Sequence, residues 1–507
     1  MGFATLTRPA AIGTFLLAAG CMTVGPDFEP LQPAGQPDWS ARLSAGLEPA
    51  ADVPEQWWEI FADPVLNELV STARAQNLQL EIAALRVLEA RARLGVVTGL
   101  KYPQTQVAFG DTSYVAPSDS DVLELLGVDN FWQYSLGATV TWEADFWGRY
   151  RRGTEAARAS LEASVAAYDQ AVVLLTAQVV SAYATVRETE EQLRISRENA
   201  ALQQRSYELT EVLFRNGENS ELDMQQARSL LLGTQATIPT LEAALQQAHN
   251  ALSGLLGRLP GDLEPLLAGG AGLPIVPADI AVGLPADMLR RRPDVRQAEL
   301  IAMAQNAIVG QATANLYPSF QLSGALSASS GGPADTSFGD LFDSGALAYT
   351  FGGSFVWPFL NYDRIRNNIR IEDARLQQAL LNYRDAVIQA ARETEDALAA
   401  FVGSREQSRI LAEAVDSARR SNHLSTVRFK EGFSDYQRVL DSQQRLFTQE
   451  QRFVTNQANT VRSVVALYKA LGGGWQDRRS LPELRSDTAR AMRLRTNWGE
   501  LISGEGN

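Results

Sequence analysis

A chain of 507 residues with 45% apolar and 21% charged residues is composed like an ordered protein, long enough for several ordinary domains or one elongated object. Acids outnumber bases 59 to 45, leaving a net charge of -14 with no long basic block, so nucleic acid is excluded as a partner. Two histidines, His249 and His423, and one cysteine rule out a Cys/His zinc cluster and an intrachain disulfide, while carboxylate sites stay open.

The chain begins with an address. Arg8 precedes an apolar run from Ala10 to Ala19 that has signal-peptide length and is too short to span as a mature helix. It ends in Ala18-Ala19-Gly20-Cys21, which resembles a bacterial lipoprotein cleavage box, with Leu17 one place further back than usual. The expectation is a signal peptide over 1–20, then an extension over 21–60 acylated at Cys21. Met22 after the cysteine resembles lipoproteins sent on to the outer membrane.

The body of the chain repeats. Tyr102-Pro103 recurs as Tyr317-Pro318, an offset of 317 − 102 = 215. The same spacing pairs Gly95 with Gly310, Tyr134 with Tyr349, Trp142 with Trp357, Arg149 with Arg364 and Gly217 with Gly432. Paired Trp, Tyr and Gly at one spacing predict a tandem duplication of one structural unit. We place the first repeat at 61–280, the second at 281–474 and a poorly specified tail at 475–507.

Each repeat alternates two kinds of segment. Residues 134–142 set Tyr134, Leu136, Ala138, Val140 and Trp142 on one face of a strand, and Tyr349, Phe351, Gly353, Phe355 and Trp357 do the same. An apolar face with an aromatic at each end fits a strand crossing a bilayer. Preceding strands near 104–113 and 319–328 alternate more weakly, through Val107 and Phe109, then Phe320, Leu322 and Leu326. The hairpins are therefore expected over about 104–142 and 319–358.

After the hairpins the period changes. Leu161, Val165, Tyr168, Val172, Leu175, Val179, Ala182 and Val186 step by 4 and 3 residues, a heptad seam. The steps recur from Leu376 to Phe401, predicting helices near 148–214 and 363–429. Turn signals at Asn216-Gly217 and Glu431-Gly432 lead into shorter helices near 219–256 and 434–471, and helices near 77–100 and 293–315 precede the hairpins. Pro293 and Asp294 suit a first helical turn, and Arg290-Arg291-Arg292 before them reads as a loop held by positional salt bridges.

Four membrane strands cannot close, because open sheet edges in lipid strand backbone groups at several kcal/mol each. Three chains pooling four strands give a 12-stranded barrel, and long helices with apolar stripes likewise need siblings beside them. The expected fold is a mixed α and β membrane protein, a homotrimer whose β-barrel continues into a long periplasmic α-barrel. Its expected role is a conduit.

At this point the residues are similar to a known family. Gly25-Pro26-Asp27-Phe28, Trp57-Trp58, Asp63-Pro64, Asp145-Phe146-Trp147-Gly148-Arg149, Arg291-Arg292-Pro293-Asp294 through Glu299, Asn315-Leu316-Tyr317-Pro318, and Val439-Leu440-Asp441 stand in the order of the TolC-type outer-membrane efflux proteins. The chain resembles their lipoprotein branch, OprM-like or NodT-type, from Cys21 to about Gly474. The resemblance implies an outer-membrane channel, lipid-anchored and reaching into the periplasm, which docks a periplasmic adaptor (membrane fusion) protein. It implies an inner-membrane pump of the resistance-nodulation-division (RND) type, delivering drugs and other small molecules to a passive duct. Same-fold channels for type I protein secretion or metal-ion efflux are the alternative.

The resemblance also implies sites. Asp441 falls on a family gate aspartate, whereas Arg438 stands where TolC has another, and Asp435 and Tyr436 complete the gate candidates. Arg215, Asn216 and Gly217, with Lys430, Glu431 and Gly432, are the adaptor-docking candidates. No nucleophile elbow or phosphate loop is present, so neither catalysis nor a cofactor is expected.

Overall fold

The computed structural model describes residues 23–30, 47–49, 54–116, 118, 130–261, 263–270, 272–277, 280–282, 291–331, 337–476, 482 and 484–502. The expected signal peptide over 1–20, Cys21 and Arg290 lie outside the described residues. Two compact units are formed, one from Met1–Leu31, Glu89–Ala163 and Ala298–Asn382, the other from Gln32–Leu88, Ser164–Gln297 and Tyr383–Asn507.

In chain order the helices are α1 (Pro64–Gln76), α2 (Leu78–Gly99), α3 (Arg149–Arg215), α4 (Glu221–Leu255), α5 (Glu264–Leu267), α6 (Pro293–Ala314), α7 (Tyr362–Lys430), α8 (Tyr436–Ala470) and α9 (Ser486–Arg495). The strands are β1 (Leu47–Pro49), β2 (Thr105–Val115), β3 (Phe131–Ala144), β4 (Ile280–Val282), β5 (Ser319–Gly331) and β6 (Leu347–Val356). Both ends of α2 recur at the repeat offset in α6, and both ends of α4 recur so in α8.

The first unit holds an antiparallel sheet in the order β2-β3-β5-β6, so two hairpins meet along β3 and β5. Among the described residues no strand covers the outer edge of β2 or β6. The N-terminal segment is tied to this unit by a buried arginine. Arg152 donates to the carbonyls of Val24 and Gly25, both at 3.3 Å, and to Asp27 at 2.7 Å. Gly25 needs to be glycine twice over: its φ is +91°, and a Cβ there would collide with the Gly310 Cα.

The second unit is helical, with the short parallel pair β1–β4. Its core gathers Trp57, Leu66, Leu69, Tyr183, Leu252, Leu398, Phe401, Leu467 and Tyr468. Trp57 stacks on Tyr468 at 5.2 Å, so two large aromatics seal helices far apart in sequence. Asp63 caps α1 by accepting from Val65 and Leu66 N–H groups at 2.9 and 3.2 Å, with Pro64 at the first position. Its other oxygen accepts from the Tyr183 hydroxyl at 2.6 Å, which fastens the helix start to α3. The 475–507 stretch, read as a tail, contains α9 instead: Met492 is buried, and Thr488 donates to Glu81.

Candidate functional site: a sheet face and two helix tips

Alternation along a strand and pairing across the ladder assign every side chain of the sheet to one of two faces. Tyr134, Leu136, Ala138, Val140 and Trp142 of β3 pair with Thr112, Gly110, Ala108, Gln106 and, on β5, Leu322. Continuing across, Leu322, Gly324 and Leu326 pair with Gly353, Phe351 and Tyr349 of β6. Apart from Thr112, Gln106 and Ser330 this face is apolar, and it is open: Leu136, Leu326, Phe351 and Tyr349 are 49%, 52%, 80% and 83% exposed. Ser135, Thr139, Thr141, Gln321, Ser323, Ser327, Thr350 and Ser354 fall on the opposite face.

Aromatic side chains close both ends of the apolar face. Tyr114, Trp132 and Tyr134 form a contiguous cluster at one end, with centroids 5.2 and 6.3 Å apart. At the other end, Trp142 donates its indole N–H to the Lys101 carbonyl at 3.2 Å, and Trp357 donates to Leu316 at 3.1 Å. Donors and acceptors of the two bonds are each 215 residues apart (357 − 142 = 316 − 101 = 215). From Tyr134 to Trp142 a strand rises about 27 Å at ~3.4 Å per residue, near the ~25 Å apolar band of an outer-membrane barrel.

One expectation is corrected here. Val107 and Phe109 pair with Thr139 and Gly137, so they belong to the polar face, and Ala108 and Gly110 take the apolar one. Phe109 lies across Gly137, where a Cβ would stand 2.8 Å from the ring. The ring covers a glycine on the neighbouring strand, a register fact that alternation within β2 alone could not reveal.

The helix tips are two copies of one turn. After α3, Gly217 N–H donates to Phe214 O at 2.9 Å and Glu218 N–H to Leu213 O at 2.9 Å, with Gly217 at φ +78°. After α7, Gly432 donates to Phe429 O at 3.0 Å and Phe433 to Arg428 O at 2.8 Å, with Gly432 at φ +76°. Both are Schellman closures, which satisfy the last carbonyls of a helix through a left-handed glycine. Arg215, Asn216, Lys430 and Glu431 are exposed beside them, as are Leu222 (65%) and Phe433 (75%).

The two tips differ at the next helix start. Ser220 caps α4, accepting from Asp223 N–H at 3.2 Å. Its counterpart Asp435 makes no side-chain cap bond and instead faces Arg438 at 3.7 Å, both side chains more than 70% exposed. Asp441 accepts from Gln437 at 3.0 Å and, with Gln437 and Gln444, lines a groove of about 560 Å³ between α4 and α8. Tyr436, expected among the gate residues, is instead core: 2% exposed, it meets Phe429 edge-on at 5.1 Å and packs with Ala227, Val439 and Leu440. Burial pushes its phenol up to about 12, against a smaller opposing effect of nearby Ser206.

Arg292, one of the three arginines expected to make positional salt bridges, makes them from a buried position that the sequence did not show. Arg292 donates to Asp294 at 2.7 Å, to Glu393 at 2.9 Å and to the Ala470 carbonyl at 2.8 Å. Burial works against its charge, and Asp294 and Glu393 more than offset it, so its pKa stands above the ordinary arginine value. Among the described residues no group of three or more His, Cys, Asp or Glu side chains is placed to hold a metal ion.

The family described as outer membrane efflux protein matches the chain twice, over residues 69–258 and 284–473. The second match begins and ends at one offset from the first, the offset of the repeat (284 − 69 = 473 − 258 = 215). The toluene efflux pump outer membrane protein TtgF of Pseudomonas putida is 32% identical over 488 residues, 94% of this chain and 98% of that protein. The probable outer membrane lipoprotein SilC of Salmonella typhimurium is 30% identical over 468 residues, 92% of this chain and 98% of its own length. Among solved structures, the outer-membrane channel OprN matches with a TM-score of 0.82 and 30% identity, covering 89% of this chain and 99% of that one.

Proposed function

The chain belongs to the outer membrane efflux protein family, and from that premise we propose that three copies pool their sheets into a 12-stranded β-barrel and their long helices into an α-barrel. It is an outer-membrane efflux channel, a passive exit duct and not an enzyme. One observation carries the trimer: a four-stranded sheet that is largely apolar and exposed on one face and ends in two edges that no strand covers among the described residues. In lipid each open edge would leave backbone groups unpaired, and a sibling's strand is the partner that satisfies them.

The recurrence of elements at one constant offset supports a tandem duplication, with repeats over 61–280 and 281–474. The polar sheet face becomes the barrel lumen. Cys21 carries the lipid anchor, just upstream of Val24, whose N–H donates to the Trp147 carbonyl at 3.1 Å beside the sheet. The tips around Gly217 and Gly432, with exposed Leu222 and Phe433, receive the periplasmic adaptor, and Asp441 with Arg438 and Asp435 sets the charge of the gate. An inner-membrane pump of the RND type supplies the solutes. TtgF, named for toluene, points to small organic molecules as cargo.

The test is the mass and conductance of the purified full chain. Light scattering in detergent should return three chains per particle, and insertion into planar bilayers should give discrete conductance steps. A monomer without conductance overturns the reading.

A further inference from the structure

In the first unit a cavity of about 390 Å³ lies where the strands end and the long helices begin, lined among others by Glu143, Asp145, Trp147, Arg149, Tyr317 and Arg364. The repeat brings the same residue there twice, since Arg149 and Arg364 are counterparts in the two halves. Their surroundings differ. Arg149 donates to Glu143 at 3.2 Å, and Glu143 also accepts from the Tyr150 hydroxyl at 3.1 Å. Asp145 accepts from the Tyr150 and Arg151 N–H groups at 3.1 and 2.9 Å and from the Arg151 side chain at 3.3 Å. Both carboxylates of the first copy are thus saturated by their own repeat.

At the same spacing the second copy replaces Glu143 by Pro358 and Asp145 by Leu360. It has kept the arginine and lost both acids. Arg364 is exposed and makes no ion pair or hydrogen bond among the described residues, and Asn315 and Asn368 add amide groups to the same wall. Apolar surface adjoins them: Trp147 stacks on Tyr317 at 4.6 Å, and Ile365 is buried in the lining. The cavity also borders the strand ends that carry Trp142 and Trp357, the belt where a barrel meets lipid headgroups.

The geometry points to a phosphate-binding site in this cavity, with Arg364 as the cation that pairs the phosphate and the Trp147–Tyr317 stack as the support for its carbon bearer. A planar guanidinium with free N–H groups matches a phosphate oxygen pair. A phospholipid headgroup and free phosphate share that chemistry. The lipid source rests on the outer-membrane placement, whereas the site itself does not require the trimeric duct.

Native mass spectrometry of the delipidated full-length protein with dioleoylphosphatidylglycerol tests it. The native chain should retain one lipid per chain, and Arg364→Ala should lower retention about tenfold, the loss of roughly one charge-assisted pair. Arg364→Lys should fall between them, and Arg366→Ala, a neighbour engaged with the Tyr362 ring at 5.4 Å, should match the native chain. Displacement by millimolar inorganic phosphate assigns the site to free phosphate, and resistance to it assigns the lipid. Equal retention by Arg364→Ala, or equal retention of uncharged dioleoylglycerol, overturns the proposal. Bilayer conductance of the same variants, measured in parallel, separates this failure from failure of the channel reading.

Discussion

Arg292 and Asn77 hold pseudo-equivalent posts and make equivalent bonds. Asn77, at the start of α2, donates to the Leu255 carbonyl at 2.8 Å, and Arg292, at the start of α6, donates to the Ala470 carbonyl at 2.8 Å. Donors and acceptors are each separated by the repeat offset (292 − 77 = 470 − 255 = 215). The end of α4 or α8 is thereby locked to the helix that precedes a hairpin, once with an amide and once with a guanidinium.

Arg292→Ala removes that lock and leaves Asp294 and Glu393 without their shared cation. The expected cost is on the order of 3 kcal/mol, the low end for a broken buried pair, because both carboxylates keep partial access to water. Thermal unfolding of the purified protein should rank native above Arg292→Lys above Arg292→Ala. Three coincident midpoints would refute the role.

Gly217→Ala and Gly432→Ala each force a Cβ into a left-handed backbone, and each should cost about 1 kcal/mol. Nothing lies within 4 Å of either added Cβ, so the effect is conformational and local. Hydrogen exchange should quicken at 213–222 and at 428–437 respectively, while exchange elsewhere in the second unit stays unchanged.

Among the described residues no group completes a well-formed hydrogen bond with the buried Tyr436 hydroxyl, although Ser206 lies near it, so Tyr436→Phe should be neutral or slightly stabilising, whereas Tyr436→Ala should cost about 3–5 kcal/mol. Burial holds the phenols of Tyr183, Tyr436 and Tyr468 at about 12, above the ordinary 10.0. A raised pKa favours the neutral form in the folded state. The contribution is whole below pH 10 and is lost as the pH climbs toward 12. Alkaline unfolding followed by circular dichroism should begin in that window and shift upward in Tyr436→Phe.

Arg438 and Asp441 stand on the exposed side of α8 and carry opposite charges. If they face a shared axis, Arg438→Asp should raise cation over anion permeability about twofold and Asp441→Asn should lower it comparably. Reversal potentials across a salt gradient read this directly, and unchanged potentials in both variants would remove these residues from the gate.

Much of the architecture was legible because it rests on periodicity and punctuation. The heptad seam from Leu161 to Val186 placed the long helix, and Asn216-Gly217 marked its end at the turn where the Schellman bonds close it. Helix α9 was not legible. Its acidic start at Asp487 and basic end at Arg493 and Arg495 were visible signals, but they sit in a polar stretch whose one buried anchor is Met492.

The chain's own order of residues was enough for the 215-residue recurrence, the two periods and the family, since local propensity and spacing belong to neighbours along the backbone. Tertiary structure alone turned Phe109 onto Gly137, packed Tyr436 against Ala227 and gave Arg292 its bonds to Glu393 and the Ala470 carbonyl. Those outcomes depend on groups brought together from distant positions, where ladder register and competition for burial decide, and no short window of sequence contains both partners.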